Sequence, residues 1–580
     1  MLSKYIIRTA ALALSLLLLF STLGACTSKS VEEDVSESTP VTEPVSETEP
    51  EAEPETEPAE LPEEVPETVP EETVPLVFTG TEIIAPPNTM ELPLCEEVVT
   101  YDLFFSFPPP LAEMIDSLLY GPALEELTNR TNVSIEFYAV SAAVASERYS
   151  IMLASGDYPD ILQDLSANYS PGLDQAIADG IIYNHTDLIN DYIPIYAEVL
   201  AASEDIRLAL TTTDGNIAGI TRLYKEPSRT KLGNIIRQDW LDDLGLETPN
   251  TVAELTDVLQ AFKTEKGATE PYYLNYLGYS SNFSITGAFE TTYTFYQENG
   301  TVKFGPIEPG MKEYLETMHQ WYVDGLVSPD YFSNISNYPN SGNVANGSIG
   351  VFLQEDSLLE DIYNYVTEDN KNLKLAAIPS TIMNEGDINH FGSGYGDWTG
   401  GTTWSISSNC EDPEPLCKAI NYLFTAEGSL LGNYGVEGVS WNYDEDGVPR
   451  VNETITNNPE IGNNEAQLKY TLPFAPFVED YARFLTGYTQ AQIDAPIIWQ
   501  SNSDKAYTLP TGLSMSTVYS DEYNSIYNDI STLVSENINK FITGEADISE
   551  FDSFVEQVTE MGIDRCIEIW QILLDEYKNK

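Results

Sequence analysis

The chain has 580 residues, of which 93 are acidic and 26 are basic, giving a formal net charge of −67 at pH 7. A negative excess of this size repels phosphate groups, so it argues strongly against nucleic acid or an anionic membrane surface as a partner. The length allows two or three domains, or two large lobes built from interleaved segments.

The first 26 residues are typical of an export signal. Lys4 and Arg8 precede an apolar run at residues 10–20, which is too short to cross a bilayer because a spanning helix needs about 20 residues. The run leads into Leu23-Gly24-Ala25-Cys26, which resembles the lipobox of bacterial lipoproteins. That resemblance implies a signal peptide at 1–25, lipid attachment at Cys26 and anchoring at the extracellular face of the cell membrane. An ordinary secretory signal with an incidental cysteine is the alternative.

Residues 26–78 consist largely of repeated Glu-Pro, Thr-Glu and Ser-Glu units. Between Val31 and Pro75 there are 17 acidic residues and no basic one. Like charges repel, prolines stiffen the chain, and little apolar surface is available to bury. The segment is therefore predicted to be an extended, disordered tether that precedes a folded part at 79–580.

From about residue 97 the pattern alternates between strands and helices, which predicts an α/β fold. We expect strands at 98–107 and 133–138 and helices at 121–131 and 147–153. A further strand begins at Ile161, and ligands of open α/β sheets bind beyond the carboxyl ends of strands. Residues 163–169 are therefore candidates for a ligand cleft.

A second well-defined stretch spans residues 233–262. It predicts a short strand at 234–237, a helix at 239–244 that ends at Gly245, and a second helix capped by Thr251 with Glu254 three residues on. The apolar residues that follow recur at the spacing of one buried helical face: Val252, Leu255, Val258, Leu259 and Phe262.

Several motifs, in the right order, resemble those of the bacterial extracellular solute-binding proteins of family 1. They are SGDYPDIL at 155–162, the crossover stretch just described, YLETMHQWYVDGL at 314–326 and NYGVEG at 433–438. These proteins are carbohydrate-binding lipoproteins of ABC importers, in the cluster similar to maltose-binding protein. The resemblance implies a two-lobed, periplasmic-binding-protein-like (type II) α/β fold, with interleaved lobes joined by hinge strands. The first lobe would take about 97–232 and 380–435, and the second about 233–379 and much of 436–580.

The resemblance also implies a function. The chain would be a lipid-anchored, monomeric receptor that captures a carbohydrate, above all an oligosaccharide, and delivers it to the permease subunits of an ABC importer, with no cofactor. A cell-surface glycan-active enzyme and a binder of a non-sugar solute such as a peptide are the alternatives. An adhesin would show tandem β-repeats, which the sequence lacks. A glycosidase would need paired carboxylates, which so acidic a chain offers anywhere, and no catalytic motif surrounds His185, His319 or His390.

Sugars are bound by aromatic rings stacked on their C–H faces and by planar polar groups that hydrogen-bond their hydroxyl groups. The glycine-rich run at 391–404 combines both types of group, and its composition predicts a loop rather than a regular strand or a core helix. The candidate ligand-binding residues in this run are Trp398, Asp397 and Trp404. Arg237 and Asp239 flank the first crossover, where they either bind ligand or brace the strands. Lower-ranked candidates are Tyr169, Tyr279 and Trp441.

No metal site is predicted. Residues 263–270 lack the Asp and Asn ligands of the calcium loop that many relatives carry here. Residues 442–453 match the spacing of an EF-hand loop, but Asp446-Gly447 between apolar residues favours a β-hairpin turn. The pairing of the remaining cysteines, Cys95, Cys410, Cys417 and Cys566, is left open.

Overall fold

The computed structural model describes residues 77–108, 111–169, 171–279, 285–392, 396–516 and 518–579. These residues fall within one compact unit, Thr73–Lys580. The predicted signal peptide, Cys26 and nearly all of the predicted tether lie outside the described residues. In the part that is described, no helix is both long enough and apolar enough to cross a membrane.

The described residues form two larger sheets and two hairpins, surrounded by helices. The strands are β1 Val99–Phe107, β2 Val133–Ser141, β3 Ile161–Gln163, β4 Ile220–Tyr224, β5 Leu232–Arg237, β6 Glu270–Tyr272, β7 Phe295–Glu298, β8 Thr301–Phe304, β9 Ile349–Glu355, β10 Leu375–Ala377, β11 Thr399–Ile406, β12 Trp441–Tyr443, β13 Pro449–Val451 and β14 Val478–Glu479. The α-helices are Ile115–Leu119, Pro122–Thr131, Ala145–Ser155, Leu165–Asn168, Leu173–Ala178, His185–Tyr192, Pro194–Ala202, Glu204–Leu210, Gln238–Leu244, Val252–Glu265, Pro309–Val323, Ser341–Ala345, Leu359–Tyr363, Pro413–Leu423, Ala426–Tyr434, Glu453–Thr456, Asn463–Tyr470, Ala482–Leu485, Gln490–Gln500, Ser520–Thr543, Phe551–Glu560 and Ile563–Lys578.

The first sheet has the strand order β14-β4-β11-β3-β1-β2. β1 pairs in parallel with β2 and β3, and β4 pairs in parallel with β14. β11 runs antiparallel to its two neighbours, β3 and β4. One face packs on the helices at Pro122–Thr131 and Pro413–Leu423, and the other on the helix Ala145–Ser155. Because β14 joins this sheet, residues up to Glu479 contribute to it.

The second sheet has the order β10-β5-β9-β6, in which β5 runs antiparallel to β9 and β10. The helix Val252–Glu265 packs beside it in a core that also includes the long helices Pro309–Val323 and Ser520–Thr543. Trp321, which the helical pattern assigns to the core, is 1% exposed there.

The local predictions around the first crossover are confirmed. Thr251 and Glu254 form a complete capping box on the helix Val252–Glu265, and the five predicted apolar residues are buried on one face. Gly245 ends the preceding helix with a φ of 66°, in the left-handed region where glycine has no steric penalty.

The prediction that residues 391–404 form only a loop is wrong for their second half. Residues from Thr399 onward belong to β11, which pairs with β3 and β4. The pairing with β4 shifts register between Thr399 and Thr403, and Gly401 in this interval has a φ of 69°. Glycines can enter a strand in this way, because a β-bulge takes up the extra residues and the unusual φ.

Residues 441–451 form the hairpin that the Asp-Gly turn predicts, with β12 and β13 paired antiparallel. The Asp444 carboxylate is engaged within the hairpin, where it accepts hydrogen bonds from the backbone of Asp446 and Val448 and from Arg450. Among the described residues no group of three or more His, Cys, Asp or Glu side chains is arranged to hold a metal ion. The cysteines left open by the sequence, Cys95, Cys410, Cys417 and Cys566, are free thiols.

Candidate ligand-binding cleft

The chain passes between the two sheets three times. β4 leads through residues 225–231 into β5, β10 leads through 378–398 into β11, and β14 leads through 480–489 into the helix Gln490–Gln500. That helix packs on the second sheet, where the Trp499 indole N–H donates to the carbonyl of Asn234 at 3.0 Å. The crossovers also touch each other, since the Tyr224 N–H donates to the Trp398 carbonyl and the Lys225 N–H to the Glu479 carbonyl, both at 2.8 Å.

The strand directions bring the carboxyl ends of both sheets to these crossovers. β4 ends where residues 225–231 begin, and β3 and β1 run parallel to it in the same sheet. β5 begins where this segment ends, and Leu232 pairs with Glu355 at the end of the antiparallel strand β9. Seven connecting residues span at most about 25 Å, so the two edges bound a common cleft. Ligands of open α/β sheets bind at such edges.

On the first sheet, Gln163 ends β3 and Asp164 follows it. Asp164 has a φ of 51°, a left-handed conformation that costs a side-chain-bearing residue free energy and that Asp and Asn tolerate best. Its carboxylate accepts the N–H of Thr403 at 3.2 Å and of the Gln163 side chain at 3.2 Å, while burial raises its pKa above the ordinary value. The Gln163 Oε1 atom is buried without a hydrogen-bond partner in the described structure. The left-handed backbone of Asp164 and the unsatisfied oxygen of Gln163 make this strand end a candidate for ligand contact.

On the second sheet, the residues beyond β6 and β9 are polar and aromatic. Glu355 accepts the Tyr338 hydroxyl at 2.6 Å, and burial raises the pKa of the neighbouring Asp356 to about 6. Tyr276, four residues beyond β6, is 43% exposed, and its N–H donates to the carbonyl of Asn334. An exposed aromatic ring held by its backbone is suited to stack on a ligand.

Of the sequence-predicted residues, Asp397 and Trp398 lie in the crossover that precedes β11. The Asp397 carboxylate pairs with Lys505 at 2.7 Å, and its N–H donates to the Ser228 hydroxyl at 3.1 Å. Trp398 is half-buried, with the edge of Phe78 at 5.1 Å between ring centroids. Both line a cavity of about 370 Å³ beside Lys505, so they remain candidates for ligand contact.

Trp404 and Trp441 are core residues in this structure, each 2% exposed. The Trp404 indole N–H donates to the Phe474 carbonyl at 2.7 Å, and that of Trp441 to the Gly435 carbonyl at 3.0 Å. Buried rings whose polar atoms already have partners stabilise the fold. Neither ring is presented to the cleft.

Arg237 lies at the end of β5 that is far from the crossover, about 16 Å from Leu232 at the rise of a strand. Its guanidinium pairs with Asp239 at 2.7 Å, donates to the Val344 carbonyl and lies over the ring of Trp240. These contacts brace the end of β5, and a role of the pair in ligand binding stays a prediction.

Tyr169 directly follows the helix Leu165–Asn168, and Tyr279 lies seven residues beyond β6. The Tyr169 hydroxyl donates to Asp179 at 2.6 Å, and burial together with this carboxylate raises its pKa to about 12. Tyr279 is stacked on Tyr293, with 3.8 Å between ring centroids. Their role in binding stays a prediction.

A buried charge cluster at the crossovers contains none of the sequence-predicted residues. Glu479, at the end of β14, lies 2.7 Å from Arg222, 3.3 Å from Arg483 and 3.6 Å from Lys231. Burial works against ionisation of Glu479, but the three cations outweigh it and lower its pKa to about 2. These residues are up to 261 positions apart, so no local pattern could pair them. The one available signal is the concentration of basic residues at 222–231 in so acidic a chain.

The model of the bacterial extracellular solute-binding protein family matches residues 114–429, more than half of the chain. The chain belongs to this family. It is similar to the polygalacturonan/rhamnogalacturonan-binding protein YtcQ of Bacillus subtilis strain 168, with 24% identity over 466 residues, or 77% of this chain and 87% of YtcQ. It is also similar to the fructooligosaccharide ABC transporter substrate-binding protein FusA of Streptococcus pneumoniae serotype 4, with 22% identity over 504 residues, or 78% of this chain and 87% of FusA.

Among solved structures, an extracellular solute-binding protein from Bifidobacterium longum subsp. infantis superposes with a TM-score of 0.66 and 17% identity, covering 83% of this chain and 98% of that one. The sequence resemblance and the two-lobed α/β solute-binding fold are therefore confirmed. Within that fold, the two sheets belong to the two lobes and the three crossovers form the hinge. The exact lobe boundaries stay a prediction.

Proposed function

We propose that this solute-binding protein is the receptor of an ABC importer for an oligosaccharide, which it binds between its lobes and delivers to a membrane permease. The observation that carries the proposal is the family match across both sheets, together with relatives named for binding polygalacturonan, rhamnogalacturonan and fructooligosaccharides. A ligand that touches both strand edges favours the arrangement in which these edges are close, because it makes more contacts there.

The groups at the two edges support a sugar as the ligand. Gln163 carries an amide oxygen without a hydrogen-bond partner in the described structure, and Asp164 carries a carboxylate held in place by Thr403. Tyr276 and Trp398 offer aromatic surface. This combination matches the alternating polar and C–H faces of a sugar ring.

We further propose that the chain is held at the outer face of the cell membrane by a lipid on Cys26, acts as a monomer and does not cleave its ligand. The support for the anchor is the Leu-Gly-Ala-Cys run directly after a short apolar segment, and the acidic segment that follows would act as a spacer. A lipoprotein of Bacillus subtilis, LipO, is 24% identical over 463 residues.

The experiment is a thermal-shift screen of residues 26–580 against pectin, fructan and host-glycan fragments, with analysis of the recovered sugar. We expect a concentration-dependent rise in melting temperature with at least one oligosaccharide class, which is recovered intact. Cleaved sugar would establish an enzyme instead. Stabilisation by peptides and by no sugar would move the ligand to the peptide class.

Transport is tested separately from binding. Deleting the gene should abolish growth on the sugar found in the screen, and complementation should restore it. Complementation with Cys26→Ala should release the protein into the medium and restore growth poorly, whereas Cys95→Ala, at a half-buried thiol of the folded part, should restore growth fully. Growth of the deletion strain at the wild-type rate would contradict the importer role.

A further inference from the structure

A second cavity, of about 440 Å³, lies beside the first crossover. It is lined by residues 224–229 and 231, by residues 479–482 and 485, by Tyr434 and by the turn of the β12–β13 hairpin at 447–449. Its volume falls within the range of small-molecule sites, about 300–1,000 Å³. None of Gln163, Asp164, Tyr276 and Trp398 lines it, so it shares none of the groups proposed above to contact the sugar.

Some of the charged side chains around this cavity have ion-pair partners, and others do not. Lys225 pairs with Asp480 at 3.2 Å, and Lys231 pairs with Glu479 at 3.6 Å. Glu479 is in turn held by two buried arginines, so the carboxylates on this wall are already neutralised. Glu226, at the exposed rim, has no cationic partner among the described residues.

Arg229 is the remaining cation of the wall. Its guanidinium carbon lies 4.8 Å from the centre of the Tyr481 ring, which orients the group by a cation–π contact. Within the described ranges, no carboxylate oxygen lies at ion-pair distance from it. A half-buried guanidinium that is held in place and carries no anion is prepared to bind one, since its planar N–H groups match a carboxylate in two parallel hydrogen bonds.

A tyrosine hydroxyl adds a second polar group. Tyr434 lines the cavity and is 2% exposed, and its hydroxyl is buried without a hydrogen-bond partner in the described structure. An unsatisfied buried hydroxyl costs free energy that a ligand oxygen would recover. The rest of the wall is mainly apolar, with Pro227, Val448, Pro449, Ala482 and Leu485.

We propose that this cavity is a second ligand site, which binds a small carboxylate carried on an apolar or aromatic body. The carboxylate binds Arg229, and the body lies against the proline and aliphatic side chains. The site depends on neither the sugar ligand nor the importer role, so it can be tested without them.

The test uses residues 26–580 and isothermal titration calorimetry with benzoate, compared with benzyl alcohol as the uncharged probe of similar size. We expect saturable 1:1 binding of benzoate and binding of benzyl alcohol that is at least about tenfold weaker, because a charge-assisted hydrogen bond is lost. Absence of saturable benzoate binding, or equal affinity for the two probes, would overturn the proposal.

Variants place the binding in the cavity. Arg229→Gln removes the charge with little change of size and should weaken benzoate binding about ten- to a hundredfold. Arg148→Gln makes the same change at an exposed arginine of the helix Ala145–Ser155 and should leave binding unchanged. Val448→Trp, in the half-exposed hairpin turn, should fill the cavity and abolish binding while the unfolding midpoint stays near that of the wild type. Wild-type affinity for benzoate in both Arg229→Gln and Val448→Trp would rule the cavity out.

Discussion

Arg222 of β4 and Glu479 of β14 form a buried ion pair, with 2.7 Å between Nη1 and Oε2 and side chains that are only 7% and 5% exposed. The Arg222 guanidinium also donates to the carbonyls of Ala475 and Pro473. Arg222 thereby links β4 to β14 and to the segment that contains Pro473 and Ala475. These contacts lie where two of the crossovers leave the first sheet.

The first prediction concerns this pair. Glu479→Gln leaves Arg222 and Arg483 buried without their common carboxylate, so we expect it to lower the free energy of unfolding by about 3–5 kcal/mol. Urea denaturation followed by tryptophan fluorescence measures this change. The matched control is Glu368→Gln, which breaks the exposed pair with Lys371 and should cost about 0–1 kcal/mol. Equal effects of the two substitutions would contradict a structural role for the cluster.

The contrast between this cluster and the helix Val252–Glu265 shows what the sequence can predict. The capping box at Thr251, the left-handed Gly245 and the buried face of Val252–Glu265 depend on residues within one or two turns, so local spacing determines them. The cluster around Glu479 depends on strand order, which brings β4 and β14 together although Arg222 and Glu479 are 257 residues apart in the chain. The same applies to Trp404, because only the pairing of β11 shows that its ring faces the core.

A second prediction concerns pH. Burial raises the pKa of Glu270 to about 7 from an ordinary value of 4.5, although Asn334 donates to its carboxylate. Below pH 4.5 the Glu270 carboxyl group is protonated in both the folded and the unfolded state, so its titration does not change the free energy of unfolding. Between pH 4.5 and 7 the unfolded state loses its proton first, so stability falls as pH rises, by at most about 3 kcal/mol, and the loss is complete above pH 7.

Glu270→Gln has no titratable group at this position, so its free energy of unfolding should not show this decrease with rising pH. We expect the variant and the wild type to differ little at pH 4 and the variant to become progressively more stable, in relative terms, up to pH 8. Denaturation series at four pH values give the difference. A difference that does not change with pH would show that the carboxyl group titrates normally in the folded protein.

A third prediction separates ligand contact from core packing among the tryptophans. Trp398→Ala, at a half-buried ring in the cavity beside Lys505, should weaken binding of the oligosaccharide about tenfold and lower stability by less than Trp404→Ala does. Trp404→Ala should lower stability by about 3–5 kcal/mol, because it removes a ring that is 2% exposed and its bond to Phe474. Calorimetry and urea denaturation of both variants distinguish the roles. Wild-type affinity in Trp398→Ala would remove this residue from the site.

The last prediction concerns Asp164, whose φ of 51° is left-handed. Asp164→Asn should fold with nearly wild-type stability, because Asn adopts this conformation readily and keeps an oxygen for the Thr403 N–H. Asp164→Ala should cost about 1–2 kcal/mol more than Asn, and Asp164→Gly less than Ala, because glycine pays no steric penalty there. Asp191→Ala, at an exposed helical position, should change stability by less than about 0.5 kcal/mol. Glycine keeps the left-handed conformation but has no side-chain oxygen, so Asp164→Gly should bind the oligosaccharide more weakly than Asp164→Asn if the side chain at this position contacts the ligand. Equal affinities of the two variants would show that this side chain makes no contact with the ligand.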